Sequence, residues 1–493
     1  MTPPSVPKGV HIAHPDRLWI NGQWLEAQSG RQIELWSPAT EEWVGRVAEA
    51  GKADMDAAVA AARAAFDTGP WGRSGPDERI AALKRMSAHL HQRSGELAWA
   101  WTAQVGGLAS FAPLMIAGST MTLDQIIGTA EAFPFIEQRI SPAAAAAFVV
   151  QEAVGVVVAI TPWNAPYGIM LNKVAYALAA GCTVIMKPAP ETPLEAYIIA
   201  EAAQAAGLPP GVLNLVCGER EASDHLVCNK GVDKVSFTGS TAAGKRIGTV
   251  CGGRISRCTL ELGGKSAALV CDDFPTEAAA GLLAGTIAIM CGQVCATLSR
   301  AIVPRHRHDE LAAAIAVQMQ QMVIGPPDDP KTQLGPLAMQ RQYERVLGYI
   351  DEGKRTAKLI TGGRRPAHME RGYYIEPTLF ANVDNRSRIA QEEIFGPVLC
   401  LIPADDEEHA IRIANDSCYG LNGSVLTNDA ETAWRIARRL RTGVVGQNGL
   451  RMDFGLPYGG FKQSGMGREG GVEGLRSFLE TKTVFLDAAP QSA

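Results

Sequence analysis

From Gly155 to Val250 the chain repeats one rhythm, a short β-branched run followed by a longer helix-forming stretch. Gly155–Ile160, Thr183–Met186, Val212–Val216 and Lys234–Phe237 read as strands, and Tyr167–Ala180, Pro193–Ala206 and Thr241–Val250 as helices. Strands separated by helices are too far apart in sequence for hairpins. They pair in parallel, with helices covering both faces of the sheet. The rhythm resumes after Glu261, with strands at Ser266–Val270 and Ser299–Val303, helices at Thr276–Met290 and His308–Val323, and further pieces at Leu359–Gly363, Tyr373–Leu379, Ser424–Thr427, Glu407–Asn415 and Glu431–Leu440. The expected fold class is therefore α/β, with two doubly wound parallel-sheet domains and a small β-extension.

Five further segments complete the reading. Trp19–Trp24 carries Asn21-Gly22 between apolar stretches, the signal of a type I′ hairpin. Ala53–Phe66 and Asp77–Leu97 have helical periodicity. Phe148–Ile160 is one apolar run, too short to span a bilayer, and reads as a buried strand. Thr481–Leu486 is strand-like with no partner nearby, so the rest of the chain or another subunit must cover it.

The 493 residues suffice for two or three domains, and a net charge of −5 spread along the chain argues against nucleic acid or an anionic membrane as the main partner. Ten cysteines include no CxxC pair, which suits reduced thiols in the cytoplasm. The N-terminal stretch lacks the apolar segment of a secretion signal. No metal site is expected: Cys291 and Cys295 are too few, His306 and His308 point to one face of a strand or to solvent without a third ligand, and His11 and His14 lie in a mobile tail.

The chemistry concentrates in a few short motifs. Gly292-Gln293-Val294-Cys295 follows a long apolar helix and would hold a thiol at a helix–loop boundary. Any one of ten cysteines is more simply a small buried apolar residue, so other residues must single Cys295 out. Glu261 precedes Gly263-Gly264, where the backbone turns and a ligand can approach. Thr161-Pro162-Trp163-Asn164-Ala165-Pro166 follows a buried strand, as ligand sites of parallel sheets do, and its asparagine amide is a neutral donor suited to an oxyanion. Gly239–Lys245 nearly matches the phosphate loop of ATP-binding proteins, but Arg246 stands where the magnesium-binding Ser or Thr belongs. An ATP-binding protein is therefore the remote alternative. No GxGxxG follows the first strand.

Together these pieces resemble the aldehyde dehydrogenase superfamily from about Leu18 to Phe485. The resemblance rests on TPWNAP at Thr161, KPAPETP at Lys187, FTGS at Phe237, ELGGK at Glu261, GQVC at Gly292, GPL at Gly335, EEIFGPV at Glu392 and PYGGFKQSGMGREGG at Pro457, in that order. It implies an NAD(P)-dependent enzyme that oxidises an aldehyde to a free acid. Cys295 would be the nucleophile. Asn164 and the Cys295 backbone N–H would hold the oxyanion, and Glu261 would activate the water that hydrolyses the thioester, which separates this chain from CoA-acylating relatives. The cofactor is expected to be NAD, with NADP possible. Lys187 would contact the adenosine ribose, and Gly239, Ser240 and the helix start after them the pyrophosphate. Glu393 would bind the nicotinamide ribose with Phe395 beside it, Leu262 would line the nicotinamide pocket, and Trp163 and Gly218 would line the cleft. The implied division is 1–134 with 155–264 for the dinucleotide, 265–475 for catalysis, and 135–154 with 476–493 as an oligomerisation extension, giving a homotetramer or homodimer. A structural protein on this fold would be expected to have lost Cys295, Glu261 or Asn164.

The chain departs from the family pattern in four places. Pro190 replaces a glutamate that grips the ribose hydroxyls in NAD-specific relatives; Glu191 would partly compensate, and Arg220 would favour NADP. Asn172 replaces a bulky aromatic. Gln447-Asn448 replaces Val-Asn, shifting the asparagine's register. Cys291 lies one turn before Cys295, suited to packing or to a reversible link under oxidation. Ala165, Ile169, Asn172, Val294, Ala296 and Tyr458 would line a roomy, mostly apolar tunnel, favouring an aromatic or terpenoid aldehyde. Arg451 would instead bind the carboxylate of a semialdehyde, unless Asp453 pairs with it on the surface.

Overall fold

The computed structural model describes residues 11–490. Five parallel strands, β1 (Val156–Ile160), β2 (Thr183–Lys187), β3 (Leu213–Leu215), β4 (Lys234–Thr238) and β5 (Arg257–Glu261), form the centre of an eight-stranded sheet in the order β5-β4-β1-β2-β3. The hairpin of Leu18–Ile20 and Gln23–Leu25 extends it beyond β3, and Gly465–Met466 pairs antiparallel with β5 at the other edge. β1, β2 and β4 are buried along their whole length, as a sheet covered on both faces requires. Helix α1 (Pro166–Ala180) follows β1, and α2 (Thr241–Arg254) follows β4.

A second sheet holds β6 (Ala267–Val270), β7 (Arg300–Pro304), β8 (Thr378–Ala381), β9 (Val398–Ala404), β10 (Asn422–Leu426) and β11 (Val444–Gln447), all parallel, in the order β8-β9-β7-β6-β10-β11. Lys358–Thr361 adds an antiparallel edge to β8. Helix α3 (Thr276–Ala288) leads from this sheet to the GQVC segment. The α/β architecture with two parallel-sheet layers agrees with the sequence expectation.

The Asn21-Gly22 turn has φ of 52° and 75°, the left-handed pair that a type I′ turn needs. Other expectations need correction. Phe148–Ile160 is not one strand. It splits into Ala146–Ala153 and β1 in different sheets, because Gly155 turns the chain at φ 126° beside Asp233. Asp77–Leu97 is two helices, Pro76–Gln92 and Ser94–Val105, broken at Arg93, whose guanidinium holds Glu96, Glu201 and the carbonyl of His11. That contact, with the bond from the N–H of Ala13 to Glu201, also fixes the segment taken for a mobile tail. The piece at Tyr373 becomes strand only at Thr378. His306 sits in a short 3-10 turn and His308 opens a helix, where it is buried and its Nε2 accepts the N–H of Asn382, so neither is on a strand. The terminal strand Leu479–Leu486 finds its partner within the chain, pairing antiparallel with Ala146–Ala153, which also pairs with Ile136–Arg139. Residues 491–493 of the expected extension and 1–10 of the first segment lie outside the described residues.

Candidate active site

The carboxyl ends of the strands in the first sheet gather the expected residues at one edge, where parallel sheets hold their ligands. Thr161 to Asn164 follow β1, Lys187 closes β2, Gly218 follows β3, Gly239 and Ser240 follow β4, and Glu261 ends β5 with Leu262 next. Ser240 caps α2, its hydroxyl accepting the N–H of Ala243 at 3.3 Å. The free N–H groups of that helix end therefore face the same edge. A side chain on Gly218 would meet Met55 and the carbonyl of Ala50, and one on Gly239 would meet the ring of Phe237, so both backbones lie bare. Lys187 is buried, makes no ion pair among the described residues, and has its pKa lowered by burial. The hydroxyls of Thr161 and Thr238 are enclosed at the same edge without a hydrogen-bond partner. A buried cation, a helix N-terminus and orphaned hydroxyls are the donor set that a dinucleotide's phosphates and ribose hydroxyls would satisfy.

The second domain closes over this edge. A Cβ on Gly264 would stand 2.4 Å from the carbonyl oxygen of Cys295, and one on Gly263 would stand 2.4 Å from Oε2 of Glu393. The N–H of Gly264 donates to Oε1 of Glu393 at 3.1 Å. Burial pushes that carboxyl up to about 7, against the opposing effect of the Gly264 hydrogen bond. Phe395, in the left-handed region at φ 60°, packs edge-on against Trp163 with ring centres 5.3 Å apart. Leu262 lies on the first turns of α2, against Gly244.

The three residues expected to carry the chemistry are brought together. The amide of Asn164 donates to the carbonyl oxygen of Gln293 at 2.8 Å, two residues before Cys295. Cys295 is half-buried beside Tyr458, Glu261 and Glu393. Burial, then the two carboxylates, push its thiol up to about 12, while hydrogen bonds from Tyr458 and the Ala296 backbone pull the other way. Glu261 is buried, with neither carboxyl oxygen hydrogen-bonded, and its Oε1 lies against bare Gly459. Its pKa is well above the usual carboxylate range because of burial and the negative charge of Glu469; Lys173 and Arg468 oppose that shift.

Lys173 and Glu469 escaped the sequence reading. They form a buried ion pair next to Glu261, with Ser236 also in reach of Lys173 at 3.3 Å. Glu469 is held by paired backbone hydrogen bonds with Tyr458 of 2.6 and 2.8 Å. Lys173 had one available signal, a lysine in the middle of an otherwise apolar helix.

The tunnel expectation divides. Val294, Cys295, Leu450 and Phe454 are partly exposed around a small cluster of Ala296, Leu421 and Tyr458, forming an apolar wall beside the sulfur. Asn172 is buried on α1 with its Oδ1 unpaired. Arg451 and Asp453 are both exposed and make no ion pair with each other, so the expected surface pair is absent. Asn448 at φ 55° clamps the backbone of Thr427 through both ends of its amide. Cys291 is a buried free thiol in the second domain's core.

A model of the Aldehyde dehydrogenase family matches residues 24–484. The chain belongs to the aldehyde dehydrogenase family. It is 42% identical to geranial dehydrogenase of Castellaniella defragrans over 95% of this chain and 98% of the relative. It is 41% identical to 3-succinoylsemialdehyde-pyridine dehydrogenase of a Pseudomonas species, again over 95% and 98%. Among solved structures it is similar to a Mycobacterium tuberculosis aldehyde dehydrogenase complexed with NAD+, with 44% identity, a TM-score of 0.92, and coverage of 96% and 98% of the two chains. No helix among the described residues is long and apolar enough to cross a membrane.

A thiol with a raised pKa, such as that of Cys295, titrates in a recognisable way. The neutral thiol persists below its pKa, so the reactive thiolate fraction grows about tenfold per pH unit until that pKa is approached. Alkylation of Cys295 by iodoacetamide without coenzyme should accelerate continuously from pH 7 to pH 9.5. Peptide mapping of the modified site against time checks this, and a plateau below pH 8 would contradict it.

Proposed function

We propose that this aldehyde dehydrogenase oxidises an apolar aldehyde to the free carboxylic acid, with Cys295 as nucleophile, Asn164 as oxyanion donor and Glu261 as general base. The observation that carries this reading is the convergence of an enclosed sulfur, an unpartnered carboxyl and an amide beside an apolar wall of Val294, Leu450, Phe454 and Tyr458. The Cys295 thiol loses its proton to solvent, and the thiolate sulfur attacks the carbonyl carbon. Asn164 spends one N–H on Gln293, and its second N–H meets the oxygen that becomes negative, together with the backbone N–H of Cys295. A nicotinamide coenzyme, when bound, accepts the hydride that leaves the hemithioacetal carbon. Cys295 then holds a thioester. Glu261, deprotonated, takes a proton from water as the water's oxygen attacks that carbon, and the sulfur departs with the acid released.

NAD+ is the favoured coenzyme, supported by the similar mycobacterial enzyme complexed with it. Lys187, Ser240 and Glu393 are the residues that would hold it, with Trp163, Gly218, Gly239, Leu262 and Phe395 around it. NADP+ would also be accepted. Pro190 removes one acidic group from the ribose end, Glu191 is engaged by Arg341, and Arg220 is exposed without an ion pair among the described residues.

Two relatives bracket the substrate, one named for a terpenoid aldehyde and one for a semialdehyde. The apolar wall favours a terpenoid or aromatic aldehyde. A second reading, a semialdehyde, is favoured by the exposed guanidinium of Arg451, which makes no ion pair among the described residues and stands next to Leu450 of that wall. The chain is proposed to act as a dimer or tetramer. Leu479–Leu486 leaves one edge unpaired, and Ile136, Ile140 and Phe485 of its small sheet region are exposed, a surface that a second copy would cover. Ten free cysteines suit the cytoplasm.

Four measurements test these proposals. Cys295→Ala should abolish aldehyde-dependent NADH formation. Glu261→Gln should retain the first-turnover burst and lose steady-state turnover by about a hundredfold or more, since only thioester hydrolysis needs the base; equal loss of both phases would refute that division of labour. In a panel of citral, benzaldehyde and succinic semialdehyde with either coenzyme, the first two should show the higher kcat/KM, and the reverse order would install the Arg451 reading. Sedimentation should find a dimer or tetramer, and a monomer would remove the interface.

A further inference from the structure

The segment that delivers Cys295 is held in an unfavourable shape. Met290, Cys291 and Gly292 are three successive left-handed residues, with φ of 49°, 55° and 70°. Glycine suits that region, and at Gly292 any Cβ would stand 2.2 Å from the carbonyl oxygen of Gly396. Methionine and cysteine do not suit it, and side chains persist there only where surrounding contacts over-determine the backbone. Beside the same segment lies a cavity of about 190 Å³ walled by Trp101, Leu108, Phe111, Met290 and Pro336. Packing on that side leaves room for the segment to relax.

One side chain supplies the restraint. Gln293 is buried, and each of its polar atoms is hydrogen-bonded. Its Nε2 donates to the carbonyl of Met290 at 3.0 Å, and its backbone N–H donates to the same carbonyl at 3.0 Å. Its Oε1 accepts the N–H of Ala338 at 2.9 Å, from a separate loop of the second domain. Its own carbonyl accepts the amide of Asn164 at 2.8 Å, across from the first domain. Met290 is thereby pinned in its left-handed conformation, and Asn164 and Cys295 are referred to one point.

We infer that Gln293 is a positioning residue for the oxidation: it latches the strained Met290–Gly292 turn and sets the Asn164 amide and the Cys295 sulfur in register. This rests on the roles proposed above for Cys295 and Asn164. Gln293 touches no reacting atom, so its loss acts on alignment, where displacements of an ångström cost about a hundredfold in rate.

The experiment compares wild type, Gln293→Leu and Gln293→Glu as full-length enzymes with one aldehyde and saturating NAD+. Gln293→Leu removes both side-chain arms; its kcat should fall about 10- to 100-fold while its KM for NAD+ and its thermal midpoint stay near wild type. Gln293→Glu keeps the acceptor for Ala338 but donates to Met290 only when protonated. Its kcat relative to wild type should therefore rise as pH is lowered from 8 to 6, a rescue that a passive packing role would not produce. A Leu variant with unchanged kcat, or a Glu-to-wild-type ratio flat across that range, overturns the inference. Parallel loss of stability and of coenzyme affinity in both variants also overturns it, in favour of a purely structural role. Wild type that forms no aldehyde-dependent NADH, or Cys295→Ala that still does, strikes instead at the underlying assignment.

Discussion

The whole site depends on two side chains that are missing. Gly263 and Gly264 bring the end of β5 against Glu393 and against the backbone of Cys295, closer than any Cβ allows. Two domains with separate sheets thus meet backbone to backbone, and the residue just before the turn, Glu261, is sealed at the contact. With alanine at Gly264, the chain would have to retreat by about an ångström or distort, and the carboxyl and the sulfur would separate. The same closeness lets Glu393 find a backbone donor in Gly264. The glycine pair is therefore what makes an interdomain contact into a place where chemistry can occur.

Enclosure then sets the charge states. For Glu261, Glu393 and Cys295 the leading cause of the raised pKa is burial, and neighbouring negative charge adds to it for the sulfur and for Glu261. Burial and two carboxyls, Glu261 and Glu393, push the Cys295 thiol up, and the Lys173–Glu469 ion pair lies beside Glu261. Such surroundings are complementary to a cation. A positively charged ring entering beside Glu393 and Cys295 would favour the thiolate and the ionised carboxyl together, because opposite charge stabilises both anions. Glu469 works in the opposite sense to Lys173 at Glu261, so the buried pair leaves burial as the leading cause of its raised pKa.

Much of this was legible because the chemistry sits where periodicity breaks. The motifs at Thr161, Lys187, Phe237 and Glu261 stand at the ends of short buried strands, and strand–helix alternation alone says that such ends line one edge. Glu261, Asn164 and Cys295 each stand at such a break, beside glycine or proline. What was not legible has physical causes. Lys173 and Glu469 lie in unrelated segments, and nothing local in either says that they pair. The split of Phe148–Ile160 was hidden because both halves are apolar, and only the geometry at Gly155 shows where one sheet hands over to another. The amphipathic helix Gln340–Thr356 was hidden because it lacks the apolar run that marks a buried layer. The break at Arg93 is a matter of tertiary hydrogen bonds, which propensity cannot see.

The helix before the nucleophile makes the same point in reverse. Thr276–Met290 has helical character throughout, yet the helix stops at Ala288. Continuing it would keep Met290 and Cys291 right-handed, and would take the chain away from the close contact between Gly292 and Gly396. Local preference loses to a set of hydrogen bonds from Gln293, Ala338 and Asn164 that only the assembled domains can offer. A thiol on a regular helix would be as rigid as its helix but aimed by it. A thiol that follows a strained turn is aimed by its neighbours instead, and those neighbours are Asn164, the proposed oxyanion donor, and the loops around Ala338. Strain at Met290 and Cys291 is thus what a sequence must accept for the proposed nucleophile to be positioned by the groups with which it would act.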